Sequence, residues 1–345
     1  ILWSLLMSSL VQEEYAKERR TRRMEDFQNS SSIDISENEI LKYGDSILNI
    51  LLFDRTTRRN IIWGTSDYES LGDAYRAQFP ITINSITGDN KDIIQPRIYK
   101  KKASQFIRTK DKAEVFTPSW MCNEQNNLID ESWFGRENVF NIQNGRVWTA
   151  TTMPISFDDK PRKRWKNYVD EKRLEIACGE APYLVSRYDT VTGAFIDVKD
   201  RIGLLDRKLR VVNENIQNEV EWVSWAIRAF QSVYGFEFQG DSLLLARENL
   251  LYTFIDYLKA RWNREPSFGE LKTVATIISW NLWQMDGIKF TVPFRSISEQ
   301  NQQLTLEDLT GDSQPEPCYC KIRDWRSKET MTYASLVCCS EGGTL

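Results

Sequence analysis

Apolar residues recur at helical spacing along much of the chain, with short extended runs between the periodic stretches. Ser36 and Glu39 have capping-box spacing, and Ile40, Ile47, Leu48 and Leu51 then fall on a common helix face. Ile202 to Val212 is amphipathic. Glu219 to Tyr234 predicts a strong helix, with Trp222, Trp225, Ala226, Ala229, Phe230 and Val233 on one side as core. Tyr234 to Asp241 then reads as a strand and short loop. Ser242 to Tyr257 follows as a helix capped by Asp241, with Leu244, Leu245, Leu251, Phe254 and Leu258 on its inner side. Ser267 and Glu270 form a second capping box, opening a helix to about Ser279. Asn60–Trp63 and Ile81–Ile83 are short extended pieces. Glu13 to Gln28 is a charged helix broken by Asn29–Ser32. Trp133 to Asp170 lacks periodicity and reads as a loop-rich insertion with a turn at Asp158–Pro161. Ser335 to Leu345 shows neither period.

The centre of the pattern is Arg173 to Asp189. Leu174-Glu175-Ile176 leads into the small-residue turn Cys178-Gly179-Glu180-Ala181, and Pro182–Val185 can start a helix. A parallel strand that ends in such a turn aims backbone N–H groups at one spot, where doubly wound sheets bind nucleotide-like cofactors. A single glycine in the turn is not the dinucleotide fingerprint. Upstream, Phe116-Thr117-Pro118 precedes a helix over Trp120–Leu128, with Pro118 expected at its first position.

The chain has 345 residues with 41% apolar and 12% aromatic content, enough for a filled core in one large or two ordinary domains. Its net charge of −4 is not that of a simple nucleic-acid binder. Basic residues nevertheless crowd Arg97–Lys112 and Lys160–Lys166, where Lys100, Lys101, Lys102, Arg162, Lys163 and Arg164 are candidate phosphate contacts beside Trp165. Absence of histidine excludes Ser-His-Asp and Cys-His nucleophilic catalysis and histidine-bearing zinc sites. The cysteines lack zinc-ligand spacing, so no metal is expected. Ile1–Leu10 is apolar but too short to span a bilayer and reads as the start of a fragment. No secretory segment is evident, and a reduced, cytoplasmic protein without a membrane partner is expected.

Two motifs in this order, Phe116-Thr117-Pro118 and Cys178-Gly179, resemble the adenine-N6-specific DNA methyltransferases of restriction–modification systems, including proteins described as restriction endonuclease subunit M. In that family an FTP segment precedes a D-P-x-C-G-S-G-x-F-L loop. Here Glu175 stands for Asp, Ile176 for Pro, Glu180 for Ser and Ala181 for the second Gly. The family's second motif is matched by Glu237 at a strand end, followed by Ala246-Arg247-Glu248-Asn249-Leu250. Its third is matched by Asn281–Ile288, which contains Asp286. The resemblance implies S-adenosylmethionine as cofactor, with contacts from Phe116, Thr117, Pro118, Glu175, Cys178, Gly179, Glu180, Glu237 and Asp286. Glu237 would accept from the ribose hydroxyls and Asp286 from the adenine amino group. Double-stranded DNA is the implied substrate, and a restriction nuclease or specificity subunit a possible companion.

The family's [DNS]-P-P-[YFW] motif holds the target amino group, and no Pro-Pro pair occurs in this chain. No residue is therefore assigned to catalysis, and the chain is expected to be the front part of such an enzyme, inactive alone. The expected fold is α/β: an incomplete Rossmann-like methyltransferase sheet after a mostly helical N-terminal region. Its expected divisions are residues 1–110, a partial cofactor-binding core at 111–300, and an irregular tail at 301–345. The alternatives are a non-catalytic DNA-binding or scaffold subunit and, from another class, a dinucleotide-binding oxidoreductase. The second lacks its G-x-G-x-x-G fingerprint.

Overall fold

The computed structural model describes residues 37–100, 108, 117–158, 160, 162–296 and 317–341. They belong to a single compact unit, Ile35–Leu345. The charged helix expected over Glu13–Gln28 and the capping residue Ser36 lie outside the described residues. The expected boundary near residue 110 does not separate domains, because Ile40, Ile47, Leu48, Leu51 and Trp63 join the same core as Leu184, Leu244 and Ile278.

Helices α1 (Glu37–Leu41) and α2 (Asp45–Leu52) bury the predicted face. A short hairpin, β1 (Phe53–Asp54) with β2 (Arg59–Asn60), and a one-turn helix, α3 (Ile83–Ile86), follow. Helix α4 spans Ser119–Phe134, well beyond the expected Leu128, with Pro118 as its N-cap rather than its first helical residue. Its buried side is polar. Asn123, Asn126 and Asp130 point inward, so an apolar period could not reveal its length.

The expected loop-rich insertion contains the hairpin β3 (Asn141–Asn144) and β4 (Val147–Ala150), then helix α5 (Trp165–Asp170). The hairpin turns at Gly145-Arg146, where Gly145 takes φ 61°, a left-handed conformation that glycine adopts without steric cost.

Strand β5 (Arg173–Glu175) comes next, then helices α6 (Leu204–Asn215) and α7 (Glu219–Phe230). Strand β6 (Val233–Glu237) leads to α8 (Gly240–Trp262), α9 (Phe268–Asn281) and β7 (Leu282–Gln284). Strands β5, β6 and β7 form a parallel sheet in that order, with Leu174 opposite Tyr234 and Phe236 opposite Trp283. Alternation along the strands divides the sheet faces. Val233 and Leu282 face the helical core, while Tyr234, Phe236 and Trp283 face a second cluster with Cys318, Cys320 and Ile322.

That second layer comprises β8 (Thr291–Ser296) with β9 (Pro317–Tyr319), the hairpin β10 (Lys321–Arg323) with β11 (Thr330–Thr332), and helix α10 (Tyr333–Glu341). The described part of the tail is thus ordered into strands and a helix, not irregular. Its elements are short and their apolar residues few, so neither period is visible.

Helix α8 is buried at every position from Gly240 to Ile255. Burial on all sides removes the one-sided stripe that marks a surface helix, and its polar residues must find partners inside. Asp241 does so without capping the helix. Gln239 is the N-cap, and Asp241 accepts from Tyr68 Oη at 2.7 Å, Lys100 Nζ at 2.9 Å and Arg108 Nη1 at 2.9 Å. Arg247 donates to the carbonyls of Leu282 and Phe53, at 2.6 and 3.2 Å, tying α8 to β7 and to the end of α2. Among the described residues, no helix is long and apolar enough to cross a membrane.

Candidate functional site

The turn after β5 sits at the carboxyl end of the parallel sheet. Ala177, Gly179 and Ala181 take left-handed φ values of 47°, 53° and 63°, alternating with ordinary residues. The N–H groups of this turn go to separate acceptors. Gly179 N–H donates to Glu237 Oε2 at 2.9 Å, and Cys178 N–H to the Phe236 carbonyl at 2.9 Å. Gly235 leaves room for this, since a Cβ there would lie 3.3 Å from Cys178 Sγ.

The buried carboxylates of the site are all engaged by the fold. Glu175 accepts from the N–H groups of Tyr183 and Leu184 at 3.3 and 3.1 Å, and burial pushes it up to about 8 despite those bonds. Glu237 accepts from Phe238 and Gln239 N–H through Oε1, and burial likewise raises it. Glu180 accepts from Arg97 N–H at 2.7 Å and Tyr188 Oη at 2.6 Å. Asn249 of α8 donates to the Glu180 carbonyl and to Tyr188 Oη, both at 3.1 Å. The Cys178 thiol is buried and held well above its usual range by desolvation.

Phe116 lies outside the described residues. Thr117 and the residue after Pro118 pack on the chain just beyond the Cys178 turn. Thr190 Oγ1 donates to the Thr117 carbonyl at 3.1 Å, and Ser119 N–H donates to Asp189 Oδ2 at 2.7 Å. Burial alone would raise Asp189, but the bonds from Ser119 and Thr192 outweigh it and hold the carboxyl below its usual value. The turn Tyr188–Gly193 therefore joins the two motifs, a role that the sequence reading left unassigned.

Asp286 follows β7 and accepts from Ile288 and Lys289 N–H at 3.0 and 3.1 Å, closing its own turn. It lines a cleft of about 760 Å³ with Phe238, Thr291, Phe294, Arg295 and Tyr319. The cleft brings Asp286 beside the residue that follows Glu237. Thr117, Cys178 and Gly179 are not among its described lining. Phe294 and Tyr319 were not anticipated, because their strands β8 and β9 lay in regions with no clear period.

The basic candidates separate. Lys100 turns into the fold toward Asp241, whose carboxyl is held far below its usual range; burial opposes this, but Lys100 and Arg108 prevail. Lys101 and Lys102 lie outside the described residues. Lys163 donates to the Trp133 carbonyl and sits 4.4 Å from the Trp133 ring centroid. Arg162 and Arg164 are exposed. The chain matches no family model, no curated protein and no solved structure.

Proposed function

We propose that this chain is the S-adenosylmethionine-binding part of an adenine-N6 DNA methyltransferase of a restriction–modification or phage-defence system. The observation that carries the reading is the meeting of two separated motifs: Ser119, next to Thr117-Pro118, is bonded to Asp189, eight residues past Glu180–Ala181. The parallel order β5-β6-β7, with a small-residue turn at the end of the first strand and an acid at the end of the second, is also what a Rossmann-like methyltransferase sheet requires.

The residues fit the cofactor in kind. Backbone turn groups and acids suit its amino-acid and ribose ends, and Phe238 and Phe294, in edge contact at 5.8 Å, offer ring surface to a base. Glu237 would serve one ribose hydroxyl through the single acceptor site on Oε2 that Gly179 leaves free, since Phe238 and Gln239 take both on Oε1. Bound S-adenosylmethionine supplies an activated methyl group; this chain's residues bind and orient it.

The lack of any Pro-Pro pair favours a second reading, a subunit that binds cofactor or DNA without transferring the methyl group itself. Calorimetric titration with S-adenosylmethionine, S-adenosylhomocysteine and NAD tests the first reading. Saturable binding of the first two and none of NAD is expected, and absence of binding by both adenosyl ligands sinks it. Radiolabelled methyl transfer to mixed-sequence duplex DNA separates the readings: transfer by the purified chain would exclude the non-catalytic one.

A further inference from the structure

On the face of the parallel sheet turned from the helical core lies a cavity of about 210 Å³. Its floor is the sheet itself: Leu174 of β5, Tyr234 of β6 and Trp283 of β7. Met331 of β11, with Tyr333 and Leu336 of α10, closes the other side. Leu174 stands opposite Tyr234 on the outermost strand of the sheet and is 43% exposed, while Leu336 is 49% exposed. Apolar walls therefore open to solvent here. The cavity shares no lining residue with the turns that hold Cys178, Glu237 and Asp286.

The walls are aromatic. The Trp283 and Tyr333 rings lie 5.5 Å apart at 49°, and Phe236 lies 5.9 Å from each. An apolar cavity of about 150 Å³ takes a benzene ring, so this one has room for a larger flat ring. Tilted rings and the Met331 thioether offer it edges, faces and a polarisable sulfur.

The rest of the lining is charged: Lys172, Arg173, Arg323 and Asp324. Its one acid is engaged within the fold. Asp324 meets Lys172 Nζ at 2.6 Å and accepts from Arg326 N–H at 2.7 Å. Arg173 approaches Glu171 at 3.7 Å, longer than a hydrogen bond. Arg323 rests against the Trp325 and Trp280 rings, its guanidinium carbon 5.0 and 5.9 Å from their centroids. Its Nε has no hydrogen-bond partner, and among the described residues no carboxylate pairs with it. An apolar, ring-lined cavity with a few placed polar groups is the usual form of a small-molecule site, and a guanidinium without an acid presents a planar fork that matches a carboxylate. We propose that this cavity binds a small aromatic carboxylic acid, its ring between the sheet face and Tyr333. Its carboxylate lies toward the guanidinium of Arg323, with Arg173 adding charge. An aliphatic acid would forgo the ring contacts, and a neutral ring would leave the guanidinium unpaired. The site does not depend on the cofactor reading.

Calorimetric titration of the full chain with naphthalene carboxylate tests the site, with naphthalene carboxamide as an uncharged control of the same shape. Saturable binding of the acid is expected, with the amide roughly tenfold weaker. Arg323→Met is expected to weaken the acid roughly tenfold and to leave the amide unchanged, a split that lost packing alone would not give. Arg173→Met is expected to weaken the acid in the same sense if Arg323→Met fails to fold. Leu174→Trp, at an exposed position, fills the cavity from its edge and is expected to abolish binding of both probes. Saturating S-adenosylhomocysteine is expected to leave the acid's affinity unchanged. Absence of saturable binding by the acid overturns the site. So does equal binding of acid and amide, a Leu174→Trp variant that still binds, or displacement of the acid by S-adenosylhomocysteine.

Discussion

Gly179 and Glu237 join the ends of two neighbouring parallel strands through one bond, Gly179 N–H to Glu237 Oε2 at 2.9 Å. Glu237 also accepts from Phe238 and Gln239 N–H, so its carboxylate fixes both the turn after β5 and the start of the chain toward α8. Glu237→Ala removes the acceptor from these donors, each of which costs about 1–3 kcal/mol when buried and unsatisfied. The expected loss is about 3 kcal/mol by urea denaturation. Glu237→Gln keeps one carbonyl oxygen and is expected to lose roughly half as much. A change below about 1 kcal/mol for the alanine variant would show that the turn is held by other contacts.

Arg207 explains why α4 is buried on a polar side. Its guanidinium meets Asp130 of α4 in an ion pair, with Asn123 Oδ1 at 2.8 Å and Asn127 Oδ1 at 2.9 Å, while Tyr168 Oη donates to Asp130 at 2.8 Å. Arg207→Met leaves Asp130 buried without its cation, and breaking such a pair typically costs about 3–5 kcal/mol. Asp130→Asn in the same chain removes the stranded charge and should recover part of the loss. A double-mutant cycle reads this as a coupling energy, and simple additivity of the two changes would mean that the pair is not the link.

The same residues mark how far the fold could be read from the chain. Helices α7 and α9 were legible because Trp222, Ala226, Phe230, Leu271 and Ile278 bury an apolar side, and because Ser267 and Glu270 form the capping box expected. Helix α4 was legible only in its first half. Asn123 and Asp130 look like exposed polar positions until Arg207, 77 residues from Asp130, closes over them, and Asn126 until it meets the Tyr183 and Ile202 carbonyls. Asp241 read as a cap from its place before an apolar run, yet Lys100 and Arg108 claim its carboxylate from far upstream. The Gly145-Arg146 turn is a local hairpin signal that the pattern around it does not reinforce. At the site, the order of the motifs was visible in the chain. Their junction through Asp189 and Thr190 was not, because a turn of ordinary composition carries no sign of what it touches.

Glu270 gives the fold one acid-sensitive joint with the opposite sign to the buried glutamates. Its hydrogen bonds from Arg264 hold it down to about 2, with Ser267 assisting. A carboxyl depressed on folding contributes above its ordinary value and loses that contribution as the pH falls toward the folded one. Arg264 and Glu270 are partly exposed, so solvent screening keeps the effect small. Glu270→Gln is expected to flatten the melting temperature between about pH 4.5 and about pH 2 relative to the wild type. Ser267→Ala should cost about 1 kcal/mol at neutral pH through loss of the cap. An acid limb identical in wild type and Glu270→Gln would remove Glu270 from the account.

Gly240 lies where the segment Ile62–Gly64 crosses the start of α8. Gly240 N–H donates to the Trp63 carbonyl at 2.9 Å, and the Gln284 amide bonds Ile62 N–H and both the Ile62 and Phe238 carbonyls. A Cβ on Gly240 would stand 1.9 Å from the Ile62 oxygen, a contact that only backbone movement relieves. Gly240→Ala must therefore push the N-terminal segment off α8 or shift the helix start that follows Glu237, and overpacking of this kind costs about 1–3 kcal/mol or more. Gly269, in the first turn of α9, offers the control, since nothing lies within 4 Å of its Cβ position. Gly269→Ala should be neutral or stabilising by up to about 1 kcal/mol, because alanine has less freedom to lose on entering a helix. Paired thermal melts then separate sterics from propensity. If the two variants melt together, the crossing at Ile62 is looser than its geometry, and the N-terminal segment does not press on the helix that starts at the candidate site.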